Sequence, residues 1–243
     1  MTRLLRLGAL AGLVGGLAMG LFLLAVGESS IADAIALEHA SGEPHDEMFS
    51  RGTQVAGGVA GAAISGVLFG LVLAVVLAAV RHRLAARDDW RRAVLVALAG
   101  FVTLALVPAL KYPANPPAVG DPDTVGRRTT LYLILLAWSV LSAWGGWRVA
   151  LWLRSRTAPD HVRLTAAAAT FVALVAVGFV VLPGTPDAVE APATLVWRFR
   201  LAALGGAAVL WAVAGTVLGA LLVSSTKAAA ALSGSGTATS RTG

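Results

Sequence analysis

Apolar residues dominate six runs, at about residues 7–26, 55–80, 93–110, 131–153, 164–182 and 201–223, each parted from the next by a short polar segment. Roughly 20 apolar residues rising 1.5 Å each are what a helix needs to cross a bilayer core. The pattern therefore predicts an all-α, polytopic transmembrane helix bundle of about six spans. The first run follows a basic start, as a secretory leader would. Its full spanning length and its glycines read instead as a retained first helix.

Small residues mark the faces on which these helices meet. Gly8, Gly12, Gly16 and Gly20 recur every four residues along the first run. The second run carries two rows, Gly57–Gly61–Ser65 and Gly58–Ala62–Gly66–Gly70. Small residues at this spacing let helix backbones approach closely, so the second helix is expected to meet two neighbours or one over a broad face. Gly215 and Gly219 repeat the spacing in the last run.

The connectors differ in sign. Residues 28–51 hold six carboxylates and two histidines, whereas 81–92 (RHRLAARDDWRR) is basic. Within the acidic segment, Ile31, Ala34, Ile35 and Glu38 fall at helical spacing, and Ser30 with Asp33 resembles a capping box. A short amphipathic helix is expected there. With the N-terminus inside, the inner segments hold 13 Lys/Arg against 3 Asp/Glu, and the outer loops 6 against 10. That asymmetry follows the positive-inside rule and predicts both termini cytoplasmic. The basic residues on the outer side, Lys111, Arg127, Arg128, Arg198 and Arg200, all flank span ends. They read either as side chains snorkelling to membrane lipid or as partners of carboxylates shaping a mouth.

Composition narrows the class. The chain is 57% hydrophobic, only 13% charged, and has a mean hydropathy of +0.79; soluble domains are about 25% charged. A net charge of +6 dispersed in short clusters does not make a nucleic-acid-binding face. Without cysteine there are no disulfides, thiolate metal sites or cysteine nucleophiles. No phosphate-gripping glycine loop and no nucleophile–base pair stands out, so an enzyme is not expected, nor a bound cofactor. The tail, 224–243, is rich in Ala, Ser, Gly and Thr and is expected to be disordered, leaving 1–223 as the membrane domain.

One connector departs from the rest. Residues 108–130, PALKYPANPPAVGDPDTVGRRTT, contain five of the ten prolines. Prolines fix backbone angles, remove amide donors and bias the preceding residue to extended conformations. The segment reads as a rigid, shaped polar loop. Asn115, Asp121 and Asp123 could offer oxygen there, with Lys111, Arg127 and Arg128 as braces pairing with Asp121, Asp123 or Glu28. Glu28, Asp33, Glu38, His39 and His45 in the acidic segment, with Asp121, are candidate ligands for a divalent first-row ion. The alternative for that segment is a solvated outer loop, acidic because such loops lack Lys and Arg.

Several strings together resemble the predicted cobalt transporter subunit family CbtA. These are ESSIADAIALE (28–38), SRGTQVAGGVAG (50–61), VPALKYPANPPAVGDPDTVGRRTTLY (107–132), the Leu182–Pro183 step, and WRFRLAALG (197–205) with Trp211 beyond. The family's early motif usually reads Glu-Pro where Glu28 is here followed by Ser29. The resemblance implies a multi-pass protein of the bacterial inner (plasma) membrane, serving cobalt uptake for cobalamin synthesis. It also implies a small single-span, histidine-rich partner, CbtB. The signature adds Tyr112, Pro113, Pro116, Pro117, Thr124 and Trp197 to the loop residues already named. The competing reading is a membrane scaffold or assembly protein, using the glycine faces and the Pro-rich loop to bind partners or further copies of itself.

Overall fold

The computed structural model describes residues 1–40, 50–84, 86, 88–117, 119–185 and 191–238; for 37–40, 122 and 226–238 it describes the backbone alone. Among these residues every regular element is helical. In order they are α1 (Thr2–Val26), α2 (Glu28–Ala40), α3 (Arg51–Val80), α4 (Asp89–Phe101), a π-helical stretch (Val102–Leu106), α5 (Val107–Lys111), a 3₁₀ turn (Pro122–Thr124), α6 (Val125–Ser155), α7 (Asp160–Val181) and α8 (Ala193–Ala238). α4, the π-helical stretch and α5 form one continuous rod. Among the described residues six helices are long and apolar enough to cross a membrane. Large apolar side chains such as Leu10, Leu17 and Leu21 on α1, and Ile64 and Leu68 on α3, stay exposed. That pattern suits lipid as the solvent.

Helix ends differ from the expected ones in instructive ways. α2 starts at Glu28, so Ser30 does not cap it; Ser30 is buried in the first turn, and its N–H and that of Ile31 both reach Gly27 O at 3.1 Å. α3 does carry a side-chain cap, with Thr53 N–H donating to Ser50 Oγ. α6 begins at Val125, which brings Arg127 and Arg128 into its first turn. α8 runs to Ala238, past the end of the last apolar run at 223. Alanine costs an already nucleated helix almost nothing to add, and Lys227–Leu232 is nearly all alanine. Residues 239–243 lie outside the described residues.

The chain divides into two compact units. The first comprises Met1–Val26, His45–Gly100 and Gly205–Gly243. Its seam is the antiparallel contact of α1 with α3. Gly8 lies against Gly70, Gly12 against Gly66, and Gly16 against Ala62 and Gly66, backbone on backbone. Only the second of the two rows expected on α3 makes this contact. Gly57 and Gly61, like Gly58, have nothing within 4 Å of where a Cβ would stand. On α8, Gly215 packs on Ala97 and Gly219 on Trp90 of α4. Buried Trp211 covers Gly100, its ring 5.4 Å from that of Phe69.

The second unit comprises Gly27–Pro44 and Phe101–Leu204. α6 and α7 pack closely: Gly146 meets the Ala167 carbonyl, and Gly178 leaves room for the Trp138 ring, whose Nε1–H donates to Leu174 O at 2.7 Å. The π-helical stretch has a local cause. Pro108 is buried inside the rod, lacks an N–H, and would clash with the carbonyl one turn back. The rod widens, and Val107 N–H reaches Val102 O. In that register the next donor would be Pro108, so Thr103 O is left without a ladder partner. Ser139 Oγ–H supplies it at 2.8 Å, from a fully buried position on α6. We predict that Ser139→Ala orphans this carbonyl and costs about 1–3 kcal/mol. A thermal melt of the detergent-solubilised protein should fall by several degrees; an unchanged melting temperature would refute the assignment.

Candidate functional site

The Pro-rich connector is shorter than its sequence suggested, because both of its ends are helical. What remains, from Tyr112 to Thr124, belongs to the second unit and is fastened to its neighbours at three points. The first is its root. Lys111 Nζ donates to Phe179 O at 2.8 Å and lies 5.6 Å from the centroids of the Tyr112 and Phe179 rings. Phe179 is in the last turn of α7, where carbonyls lack ladder donors and the helix dipole favours a cation. This corrects the expectation that Lys111 pairs with Asp121, Asp123 or Glu28. A helix C-terminus stands in for the carboxylate.

The second fastening is Tyr112, buried against Leu131 and Leu135 with Phe179 and Leu182 around them. Its hydroxyl donates to Pro183 O at 2.7 Å. Burial pushes the hydroxyl's pKa above its ordinary value of 10.0, so it stays a donor at any physiological pH. The Leu182–Pro183 step thus serves as the acceptor for the loop's tyrosine.

The third fastening comes from α8. Arg200 Nε donates to Ala114 O at 3.2 Å and Nη2 to Asn115 Oδ1 at 2.9 Å. A guanidinium forking onto two oxygens fixes both position and orientation. Arg198, two residues earlier on α8, pairs instead with Asp33 of α2 at 2.8 Å. Both partners are more than half exposed, so this pair contributes at most about 1 kcal/mol; it holds α2 in place more than it stabilises the fold. Trp197, just before Arg198, is exposed.

Within the loop, Pro116 is buried and its carbonyl accepts Val119 N–H. Pro117 lies in the same turn, and Gly120 follows with φ 110°, a value natural only for glycine. Asp121 then organises the entry to α6. Its Oδ1 accepts Asp123 N–H at 2.9 Å, and its carbonyl accepts both the N–H and the Oγ1–H of Thr124. Arg127 is exposed and Arg128 half-buried.

Behind the loop is a cavity of about 440 Å³, whose walls include Pro113, Asn115, Arg128, Thr129, Tyr132 and Thr185. Among the described residues that line it there is no carboxylate or imidazole, and Arg128 is one of them.

Among the described residues no three His, Cys, Asp or Glu side chains could share one metal ion. Asp33 faces Arg198, Asp121 is held in its own turn, and Glu28 sits half-buried in the first turn of α2. The side chains of Glu38 and His39, and the whole of His45, lie outside the described residues. Two acceptors that brace the loop, the carbonyls of Phe179 and Pro183, had escaped sequence reasoning. Backbone carbonyls carry no residue-type signal, and only the Leu182–Pro183 step hinted at them.

The comparisons with known proteins bear on the whole span. Neither curated proteins nor solved structures give a significant match. A family described as probable cobalt transporter subunit (CbtA) matches residues 1–223, which cover all six spanning helices, the braced loop and the Trp197–Arg200 motif. By that match the chain belongs to the CbtA family of probable cobalt transporter subunits.

Proposed function

We propose that the protein is the membrane subunit of a bacterial inner-membrane cobalt uptake system and works with a small, single-span, histidine-rich partner. The observation that carries this reading is the family match over residues 1–223, whose description as a subunit implies an assembly. Six spans with both termini cytoplasmic would put the acidic segment, the Pro-rich loop and the Trp197–Arg200 motif together on the outer face. The acidic segment, with Glu28, Asp33, Glu38 and His39, would concentrate dilute Co²⁺ there. Asp121 would be its next contact at the loop, where the exposed carboxylate still has lone pairs to offer.

The braces refine this picture. Asn115, first read as an ion contact, has its Oδ1 occupied by Arg200; we assign it to holding the loop. Charged side chains inside the spans are scarce, so a proton relay has little to run on. Any coupling to ATP would come from another chain. Gly57, Gly58 and Gly61, which among the described residues have nothing within 4 Å of where a Cβ would stand, leave room for a partner's helix. A scaffold would use that face equally well, so it does not separate the two readings.

Uptake of ⁵⁷Co into cells at limiting cobalt tests the proposal. Deletion of the gene should lower initial uptake severalfold, with recovery on expression of the intact chain. Asp33→Asn with Glu38→Gln, or Asp121→Asn alone, should recover it only in part. Equal uptake in deleted and intact cells would rule the transporter reading out and leave the scaffold.

A further inference from the structure

A second cavity, of about 260 Å³, lies in the first unit among residues of α1, α3, α4 and α8. Two arginines from different helices line it, Arg3 in the first turn of α1 and Arg81 at the C-cap of α3. Arg81 Nε donates to His82 Nε2 at 3.2 Å. Among the described residues neither Arg3 nor Arg81 is in an ion pair. Asp89 of α4 is also on the wall, but its Oδ1 accepts Arg92 Nη1–H at 2.8 Å, so α4 matches that charge itself. The rest of the wall is Met1, Leu4 and Leu7 at the start of the chain, Ala78 of α3, and Leu222 and Ser225 of α8, apolar but for Ser225.

The order of these residues along each helix matters. Arg3 and Leu7 are four apart on α1, and Ala78 and Arg81 three apart on α3, so each guanidinium shares a helix face with the apolar group one turn inward. The cleft is therefore graded, cationic at the ends of the spans and hydrocarbon towards their middles. A small soluble anion would satisfy the guanidiniums and leave the leucine wall wet. An anionic phospholipid satisfies both, with its phosphodiester on the arginines and the start of an acyl chain along Leu4, Leu7 and Leu222. Basic pockets between transmembrane helices bind acidic headgroups by this logic, and guanidinium is the better fork for phosphate.

We propose that this cleft is a binding site for one anionic phospholipid, which bridges α1, α3 and α8. The site is separate from the Pro-rich loop and requires no assumption about the transported ion.

Native mass spectrometry of the intact chain, tagged at its C-terminus and released from micelles holding equal phosphatidylglycerol and phosphatidylcholine, tests it. The wild type should retain phosphatidylglycerol over phosphatidylcholine by about tenfold, as two arginines at a bilayer surface warrant. Arg3→Gln with Arg81→Gln should bring the ratio near parity. So should Ala78→Phe, which keeps both charges and fills the cleft. Arg154→Gln with Arg156→Gln, an equal loss of charge from another connector, should leave the preference intact. Parity in the wild type overturns the proposal without recourse to any variant. So does a preference that survives Ala78→Phe, or one lost equally in the Arg154/Arg156 control. If millimolar inorganic phosphate gives an arginine-dependent rise in melting temperature while no lipid is preferred, the cleft binds free phosphate and the lipid assignment fails.

Discussion

Replacing Gly66 by leucine is expected to leave little folded protein. Where α1 and α3 cross, a Cβ on Gly66 would run into the Gly12 carbonyl and stand 2.6 Å from Gly16 Cα. Both obstacles are backbone, so neither can rotate out of the way. In lipid the helices gain nothing from hiding apolar surface, and close packing is what holds them together. Forcing them apart loses contacts along the whole seam, from Gly8 to Gly20, because dispersion falls off within an ångström. We expect a cost of at least about 3 kcal/mol, at the upper end for overpacking. The same substitution at Gly57, nine residues earlier on the same helix, meets nothing within 4 Å and should be tolerated. Fluorescence-detected size exclusion of the two variants, followed by thermal melts, compares them directly. A Gly66→Leu protein as monodisperse and stable as wild type would contradict the seam, as would equal damage at Gly57.

That contrast also marks how far the sequence could be read. Runs of apolar residues give spans because the bilayer demands a minimum length of unbroken helix with every backbone group bonded internally. All six were visible in this way, with ends a few residues off. Glycine spacing showed which faces could pack closely, but both rows of α3 carry the same spacing, and only a partner's position chooses between them. The loop residues were legible through proline and charge, and Tyr112, Asn115, Asp121 and Arg200 do lie in or on the braced connector. Their partners were not. Lysine was expected to find a carboxylate and found the end of α7, since a helix C-terminus offers negative potential without any acidic residue. Ser30 looked like a cap because a capping pattern says nothing about where a helix already begins. The π-helical stretch follows from Pro108 only once the rod is known to pass through that proline.

Arg200 should be the most sensitive side chain for uptake, more so than any single carboxylate. It reaches both the loop backbone and a loop side chain, at Ala114 O and Asn115 Oδ1. Each bond involves a charged donor and contributes about 1.5–3 kcal/mol where partly buried. Losing one lowers the population of the braced loop by roughly tenfold or more, and ⁵⁷Co uptake should fall with it in Arg200→Ala. Arg200→Lys should rescue little, because a single ammonium cannot span two oxygens set side by side. Asn115 separates a brace from an ion ligand. If it braces, Asn115→Asp keeps an acceptor for Arg200 and should transport near the wild-type rate, whereas Asn115→Leu should behave like Arg200→Ala, and the two losses should not add. If Asn115 instead contacted the ion, Asn115→Leu would lose uptake with Arg200 intact, and combining it with Arg200→Ala would deepen the defect. Additive losses in the double variant would therefore refute the bracing role. A normal rate in Arg200→Ala would show that the loop's shape does not govern passage at all.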